Sequence, residues 1–245
     1  MDIVLVKYFM LYIVPTPIGN LQDITLRALE VLKQADFVLC EDTRQTKKLL
    51  DNFGISTKTI RYHEGDKFSV ENCLNLLKGG KVCALVSDAG TPCVSDPGWQ
   101  LVRRAREEGI KVCALPGPSA LTCALSASGV GGGGFVFLGF TSRKPGKIVK
   151  LLKSSFELEK PVVIYESPYR IIKFLKLVKE NFTENITCVL AREITKTFEE
   201  YLSGTLEEVI KNLEARKKIL GEFVVILDAR TAQAKEEDNE ESNNW

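Results

Sequence analysis

The chain has 245 residues, of which 44% are hydrophobic and 27% charged, so it is long enough for one large domain or two small ones with packed cores. Its 33 lysines and arginines nearly balance 32 aspartates and glutamates, and a net charge of +1 does not by itself indicate a nucleic-acid partner. No stretch approaches roughly 18 uninterrupted apolar residues, which predicts no membrane span.

The two termini differ in composition from the rest of the chain. Residues 1–10 are apolar but lack the basic start and the small-residue cleavage site of a signal peptide. They precede the first predicted strand, and we expect them to be a non-core N-terminal extension. Residues 230–245 are polar and acidic, which predicts a disordered tail. Removing this tail leaves a mildly basic body, which is compatible with RNA binding but not specific to it.

The seven cysteines are odd in number and form no C-x-x-C pair, and His63 is the single histidine. Metal ligation needs clustered cysteines or histidines, so we expect no metal site. Free thiols that pack as small hydrophobic groups in the reducing cytosol are the expected alternative, which predicts a cytoplasmic protein.

The first half alternates short apolar runs with amphipathic stretches. Strands are predicted at 11–14, 37–40, 57–61, 82–87 and 111–115, with helices near 25–34, 43–52, 69–78 and 98–108. Alternating strands and helices favour a parallel sheet with helices on both faces.

The second half begins after another predicted helix at 120–126 and a glycine-rich stretch at 128–134. Strands are predicted at 135–139, 162–165, 186–190, 197–202 and 222–227, with helices near 146–152, 168–181 and 206–216. Thr205-x-x-Glu208 predicts a capping box that starts the last helix, and the spacing of the last strands predicts some antiparallel pairing. We therefore expect two α/β domains, at 11–118 and 119–229, with a ligand cleft between them.

Gly129 to Gly134 matches G-x-G-x-x-G formally, but a dinucleotide motif must follow a strand and open a helix. This stretch follows a predicted helix and precedes a strand, so a flexible linker is the better interpretation.

Three loops directly follow predicted strands of the first domain, at 14–21, 86–98 and 115–120. In a parallel sheet such loops line the ligand crevice, and glycine lets backbone approach a ligand closely. Pro97 and Pro118 are predicted first helical positions, which would leave N–H groups free for a polar ligand. Each loop alone has a simpler interpretation as a turn with a helix cap. The loops lack a phosphate-binding lysine, which argues against a nucleoside triphosphate.

Charged side chains also follow predicted strands. Glu41, Asp42 and Arg44 come after the second strand, where Asp42 or Thr43 as a simple helix cap is the alternative. His63 follows the third strand, although a lone histidine is often structural. A basic cluster at 143–153 could contact phosphates, and a solvated helix face is the alternative. The cluster is Arg143, Lys144, Lys147, Lys150 and Lys153.

Taken together, these motifs resemble those of the ribosomal RNA small subunit methyltransferase I family, within the tetrapyrrole-methylase superfamily. The resemblance extends from about Leu11 to Leu227, and Ser-Asp-Ala-Gly-Thr-Pro at 87–92 followed by Ser-Asp-Pro-Gly at 95–98 is its most specific part. The other segments are 14–21, 41–44, 116–120, 165–168 and 221–223.

The resemblance implies a fold of two tetrapyrrole-methylase-type α/β domains, the first with a parallel sheet and the second with a mixed one. It implies methylation of the ribose 2′-oxygen of a cytidine in the decoding region of 16S rRNA in the small ribosomal subunit. S-adenosylmethionine would be the donor, and relatives are commonly homodimers.

The resemblance also assigns roles to individual residues. Donor contacts are expected from the three post-strand loops of the first domain and from four positions of the second. These residues are Pro17, Gly19, Asp88, Ala89, Gly90, Thr91, Pro92, Pro116, Gly117, Ser119, Ala120, Tyr165, Glu166, Ala191 and Gly221. Substrate or catalytic roles are expected for the Pro15–Asn20 loop and for Glu41, Asp42, Arg44, His63, Arg192 and Glu193.

The sequence departs from the family pattern at two places. Gly65, Asp66 and Lys67 stand where the family often has a second histidine and an Asn-Glu pair, which weakens the case for a catalytic histidine pair. Family members tend to begin at the residue matching Met10, so residues 1–9 are expected to come from an upstream start codon.

The implied chemistry needs a base near the 2′-hydroxyl, and Glu41, Asp42, His63 and Glu193 are candidates that the sequence cannot rank. Arg44 or Arg192 could hold phosphate or stabilise an alkoxide. Two alternatives remain open: a methylase of the same fold that acts on a tetrapyrrole or a modified protein residue, and a non-catalytic RNA-binding factor in ribosome assembly.

Overall fold

The computed structural model describes residues 10–131, 133–182 and 185–229. The predicted acidic tail and residues 1–9 of the predicted N-terminal extension lie outside the described residues. The prediction is wrong at Met10, which begins the first strand and is buried in the core. The chain divides into two compact units after Ser119. We call residues up to Ser119 unit 1 and residues from Ala120 unit 2. The domain boundary predicted from the sequence lies one residue earlier.

Unit 1 contains one five-stranded sheet in the order β3-β2-β4-β1-β5, and every paired strand in it is parallel. Its strands are β1 (Met10–Ile13), β2 (Phe37–Cys40), β3 (Lys58–Arg61), β4 (Val82–Leu85) and β5 (Lys111–Ala114). Its helices are α1 (Leu26–Gln34), α2 (Thr43–Asn52), α3 (Lys67–Lys78) and α4 (Trp99–Glu107), with a 3₁₀ turn at Leu21–Asp23.

Successive residues of a strand point to opposite faces, so each face of this sheet has its own apolar layer. Tyr12, Val38 and Ala84 pack with the apolar sides of α1 and α2. Leu11, Leu39 and Leu85 pack on the other face with α3 and α4. The predicted parallel sheet with helices on both faces is therefore confirmed.

Unit 2 contains a mixed five-stranded sheet in the order β6-β7-β10-β8-β9. Its strands are β6 (Val136–Phe140), β7 (Val162–Glu166), β8 (Thr187–Arg192), β9 (Glu200–Thr205) and β10 (Phe223–Asp228), and its helices are α5 (Ala120–Ala127), α6 (Pro145–Phe156), α7 (Ile171–Asn181) and α8 (Leu206–Glu214). Only β6 and β7 pair in parallel, so the predicted antiparallel pairing is confirmed. Residues from α6, α7 and α8 form one apolar core with the sheet.

Local signals set several of these helix ends. The predicted capping box is present at the start of α8: the Thr205 hydroxyl accepts from the backbone N–H of Glu208, and the Glu208 carboxylate accepts from Thr205 N. The largest deviations from the predicted element ends occur in three elements of unit 2. Helix α7 begins at Ile171 and not at residue 168 as predicted, because residues 168–170 form a turn in which Arg170 N and Ile171 N both donate to Ser167 O. Strand β9 lies three residues later than predicted, and α6 continues to Phe156.

The cysteines are free thiols in this structure, and four of the seven are buried. Burial raises the pKa of Cys73 to about 11 and that of Cys83 to about 12, so these two side chains act as small apolar core groups. Within the described ranges no group of three or more potential metal ligands is arranged to hold an ion. None of the described helices is both long and apolar enough to cross a membrane.

Candidate active site

The candidate site of unit 1 is built from the loops that follow its parallel strands, where ligand crevices form in open α/β sheets. The loop after β1 and the loop after β4 are joined by reciprocal backbone hydrogen bonds between Thr16 and Gly90, each 2.9 Å. The buried Thr16 hydroxyl also donates to Ser87 O at 3.1 Å. The structure thus joins two of the three predicted loops by hydrogen bonds.

The third loop, after β5, is tied to the other two by close packing. The Thr91 hydroxyl donates to Pro118 O at 2.9 Å. A Cβ on Gly117 would lie 2.7 Å from Pro15 Cβ, and one on Gly90, where φ is +78°, would lie 3.3 Å from the side chain of Ile18. Glycine is therefore required at Gly117 by proximity and at Gly90 by backbone conformation as well.

The predicted donor-binding residues of unit 1 differ in exposure. Asp88, Ala89, Pro116 and Gly117 are exposed together with Gly19, whereas three others are buried and two are half-buried. The buried ones are Pro17, Gly90 and Pro92, and the half-buried ones are Thr91 and Ser119. The loops that follow β4 and β5 therefore combine exposed residues with buried residues that are held by hydrogen bonds within the loops.

The predicted role of Pro97 and Pro118 as first helical residues is wrong. Helix α4 begins at Trp99 behind Gly98, whose φ of +133° is incompatible with a helix and leaves Pro97 outside it. A Cβ on Gly98 would lie 2.6 Å from Cys93 Sγ and from a Leu85 methyl carbon, so this position also requires glycine. Pro118 precedes α5, which begins at Ala120.

Asp42 is the N-cap of α2, as the simpler interpretation of this segment predicted. Its carboxylate accepts from Arg44 N at 2.8 Å and binds the Arg44 guanidinium through Nε and Nη2 at 3.1 and 2.8 Å. These hydrogen bonds hold the pKa of Asp42 far below its usual range. Glu41 differs from Asp42, because its exposed carboxylate makes no hydrogen bond or ion pair with any described residue.

His63 is exposed at the end of β3, and its ring is engaged locally. Nδ1 accepts from Gly65 N at 3.1 Å, which assigns Nε2 as the protonated nitrogen of the neutral ring. The next residue, Glu64, accepts from Gln100 N at 2.8 Å and so stabilises the start of α4. In this tautomer, His63 has no free lone pair with which to accept a proton.

Asp96 belongs to this site, although no role was predicted for it from the sequence. Burial, together with the nearby Glu41 and Asp88 carboxylates, raises the pKa of Asp96 to about 6 despite a hydrogen bond from Ser87. The Ser-Asp-Pro-Gly motif contained the signal, as a second acidic residue in the loop after β4. Its proximity to Glu41, 55 positions earlier in the sequence, depends on the order of the strands.

The candidate residues of unit 2 lie at one end of its sheet. Because β10 runs antiparallel to both neighbours, its first residue, Phe223, pairs with Glu166 at the end of β7 and with Arg192 at the end of β8. Tyr165 and Ala191 both pair with Val224 in the next row. The register therefore brings Ala191 next to Tyr165 and Glu166, which lie about 25 positions earlier, and Gly221 precedes β10 by two residues at the same end of the sheet.

Tyr165 and Glu166 are fixed by contacts inside unit 2. The Tyr165 ring packs edge-on against Phe137 and Phe140, and its hydroxyl accepts from Leu121 N at 3.1 Å. The Glu166 side chain is 1% exposed and lies 3.2 Å from the Arg170 guanidinium. Burial raises the pKa of Glu166, and bonds from Ser167 and Arg170 oppose that rise.

Glu193 holds two turns together. Its backbone φ is +51°, and its Oε1 accepts from Lys196 Nζ at 2.9 Å and from Glu222 N at 3.0 Å. A Cβ on Gly221 would lie 2.5 Å from Glu193 Cγ, so this contact requires the glycine. Burial alone would raise the pKa of Glu193, but the Lys196 ammonium and the Glu222 N–H outweigh it and lower that pKa.

Arg192 is also engaged within unit 2. Its Nε donates to Leu220 O at 2.6 Å, and its Nη1 lies 3.5 Å from a Glu200 oxygen. Glu200 in turn is bound by both Nη atoms of Arg216, at 2.7 and 2.6 Å. Hydrogen bonds from Arg192 and to Glu193 therefore hold the turn at Gly221 in place.

Comparison with known proteins identifies the fold. A family model described as "Tetrapyrrole (Corrin/Porphyrin) Methylases" matches residues 10–210. Cobalt precorrin-4 methyltransferase superposes with a TM-score of 0.63 at 18% identity, covering 93% of this chain and 98% of that one. Diphthine synthase superposes with a TM-score of 0.67 at 16% identity, covering 89% and 90%.

Sequence relatives are much closer. A "Ribosomal RNA small subunit methyltransferase I" from Hydrogenobaculum sp. is 44% identical, covering 89% of this chain and 94% of the relative. Proteins of the same name from Leptospira biflexa and Neisseria meningitidis serogroup A are 45% and 47% identical, covering 92% and 89% of this chain and 93% and 75% of the relatives. The chain therefore belongs to the tetrapyrrole methylase family and, within it, to the ribosomal RNA small subunit methyltransferase I family.

Proposed function

We propose that this protein transfers a methyl group from S-adenosylmethionine to the ribose 2′-oxygen of a cytidine in the decoding region of 16S rRNA. The observation that carries the proposal is 44–47% identity, over 89–92% of the chain, to relatives named ribosomal RNA small subunit methyltransferase I. The identity of 16–18% to a precorrin methyltransferase and to diphthine synthase supports only a shared fold. A tetrapyrrole or a protein residue is therefore a competing acceptor for the test to exclude.

The loop cluster of unit 1 fits S-adenosylmethionine by its chemistry. When bound, this donor supplies an activated methyl group on a sulfonium cation. Exposed backbone at Asp88, Ala89 and Gly117 offers hydrogen-bonding groups, and three neighbouring carboxylates offer negative charge to a cation. Those carboxylates belong to Glu41, Asp88 and Asp96. The rigid hydrogen bonding below them suits a reaction that depends mainly on alignment.

Of the four candidate bases, Glu41 is the one with a free carboxylate. Asp42 and Glu193 are held in ion pairs that lower their pKa values, so both are weak proton acceptors. The Nδ1 atom of His63 already accepts from Gly65 N, and its Nε2 carries the ring proton. We assign proton removal from the 2′-hydroxyl to Glu41, and positioning roles to Asp42 and Glu193. Arg44, which is 86% exposed beside Asp42, is placed to bind a phosphate or a developing alkoxide.

We also propose that the protein works in the cytosol as a homodimer. Free thiols and a ribosomal substrate support the cytosol. The homodimer rests on resemblance to the family alone, and sedimentation of the purified chain would test it.

We predict that the purified chain transfers radiolabelled methyl groups to small ribosomal subunits that lack the modification. The label should be recovered as 2′-O-methylcytidine, even with a free tetrapyrrole precursor present as a competing acceptor. Transfer to the tetrapyrrole instead would contradict the proposed acceptor. Failure to bind the donor in a titration would contradict methyl transfer itself and favour a non-catalytic RNA-binding factor.

Glu41→Gln should slow single-turnover methyl transfer by about 100-fold or more, because a positioned base contributes on the order of 10² to 10⁴. Donor affinity should fall by a smaller factor than the rate, because Asp88 and Asp96 still offer negative charge to the cationic donor. Glu30→Gln, at an exposed glutamate of α1, is the matched control and should react at the unaltered rate. A loss of less than about tenfold for Glu41→Gln would show that another group removes the proton.

Asp96→Asn should stabilise the protein at pH 8 and weaken donor binding. The folded-state pKa of about 6 exceeds the ordinary value of 3.8, so the folded state holds this proton more tightly than the unfolded state. Ionisation therefore costs stability progressively between about pH 4 and 6, and the full cost is present above pH 6. After allowance for partial exposure, removing it should add about 1 to 2 kcal/mol to the free energy of unfolding at pH 8.

Urea titrations at pH 8 and pH 4.5 would measure this effect, with Asp51→Asn, at an exposed aspartate of α2, as the control. The gain from Asp96→Asn should shrink strongly at the lower pH. A loss of stability at pH 8, or an equal gain at both values, would contradict the assigned environment of Asp96.

A further inference from the structure

An open groove of about 860 Å³ lies on unit 2 between the start of α6 and the outer side of α7. Basic side chains dominate its lining: Arg143 comes from the loop before α6, and Arg170, Lys173 and Lys176 come from the turn before α7 and from α7 itself. Glu180 is the one acidic residue among the residues that line it. Residues 141–180 contain ten lysines and arginines against four glutamates, so the groove lies in a basic part of the chain.

Two of the basic residues have no counter-ion among the described residues. Arg170 is paired with Glu166, and Lys176 lies 2.6 Å from Glu214. Arg143 and Lys173 are exposed and make no ion pair with any described residue. Unpaired cations that border a groove attract a polyanion, and binding then releases the counter-ions condensed on that polyanion.

An exposed aromatic ring stands beside these cations. Tyr169 lines the groove and is 92% exposed, the highest exposure among the large hydrophobic side chains described. Aromatic rings in basic grooves stack on unpaired bases, which is the usual way in which proteins bind single-stranded RNA. An aromatic ring beside two cations suits a nucleic acid, which has bases and phosphates, better than it suits a simple anion.

The groove is held in shape by an ion pair between the buried Glu166 and the half-buried Arg170. Arg170 donates to Ser142 O at 3.0 Å and to Thr141 O and Oγ1 at 3.3 Å, while the Glu166 carboxylate, 1% exposed, fixes its guanidinium. Because Ser142 directly precedes Arg143, this network fixes the backbone of Arg143 next to α7. Glu166 is also the last residue of β7, so the groove begins at the end of the sheet that carries Tyr165.

We propose that this groove binds single-stranded rRNA that flanks the target nucleotide, with Arg143 and Lys173 on phosphates and Tyr169 stacked on a base. The inference rests on the proposed function and adds to it a surface for the RNA. It predicts that the groove contributes to subunit affinity and leaves donor binding unchanged.

The test compares Arg143→Gln/Lys173→Gln with Lys58→Gln/Lys111→Gln. The control removes the same charge from two exposed lysines that begin β3 and β5, at the opposite ends of those strands from the candidate site. Single-turnover methyl transfer to small ribosomal subunits is measured against subunit concentration at several salt concentrations. A titration with S-adenosylmethionine checks donor binding for each variant.

For the groove variant, the half-saturating subunit concentration should rise about 10- to 100-fold, and the slope of log affinity against log salt should fall by about 1.5, as expected for two lost phosphate contacts. Tyr169→Ala should raise the half-saturating subunit concentration about 5- to 100-fold without changing that slope. Tyr169→Phe should restore the concentration of the unaltered chain, because stacking needs only the ring. The control should stay within about twofold of the unaltered chain.

Two results would overturn the inference, and they are distinguishable. Suppose the unaltered chain labels the subunits and the groove variant has the same half-saturating subunit concentration as the control. The groove then does not bind RNA, and the proposed function stands. If the unaltered chain binds the donor but labels no RNA, the proposed function fails and the inference fails with it.

Discussion

The pair of hydrogen bonds between Thr16 and Gly90 is the constraint on which the candidate site of unit 1 depends. Parallel strands deliver their following loops to one end of the sheet but do not fix how those loops meet. The Thr16–Gly90 pair joins two of these loops backbone to backbone, and the Thr91–Pro118 bond adds the third. Gly117 then has no space for a side chain, because Pro15 already occupies it. Rigid alignment of this kind is what methyl transfer from an already activated donor needs most.

Charge is divided between the two units in a way that suits two different ligands. The end of the unit 1 sheet carries Glu41, Asp88 and Asp96, and burial together with the two neighbouring carboxylates raises the pKa of Asp96 to about 6. The groove on unit 2 carries unpaired cations. A cationic donor and a polyanionic acceptor would therefore each find complementary charge. The cost of the acidic cluster is lower stability above pH 6, as is common where function requires like charges to lie together.

Much of the fold followed from the sequence, because hydrophobic period and turn residues are local signals. Every strand and α-helix of the described chain was expected, and the Thr205–Glu208 capping box was located to the residue. The misplaced ends, at Ile171 and Glu200, lie where a turn precedes the element and periodicity gives no boundary. Pro97 and Pro118 show the same limit, since a proline can lie before a helix as easily as in its first turn.

The candidate site was less predictable than the fold. Post-strand position located the loops, but the partners of each side chain depend on strand order and register. Asp42 and Glu193 looked equivalent to Glu41 in sequence, and the structure separates them through the Arg44 and Lys196 pairs. The role of Asp96 in the cluster and the link between Glu193 and Gly221 arise from tertiary contacts that one sequence does not reveal.

Calorimetric titration of S-adenosylmethionine into the full chain and into Gly117→Ala tests the central claim most directly, that the joined loops of unit 1 hold the donor. An added Cβ at Gly117 would lie 2.7 Å from Pro15 Cβ, whereas one at Gly146, the control, meets nothing within 4 Å. The account predicts that Gly117→Ala stays folded and binds the donor at least about tenfold more weakly, a loss of about 1.4 kcal/mol, while Gly146→Ala binds as the unaltered chain does. Equal affinity in all three proteins would contradict it.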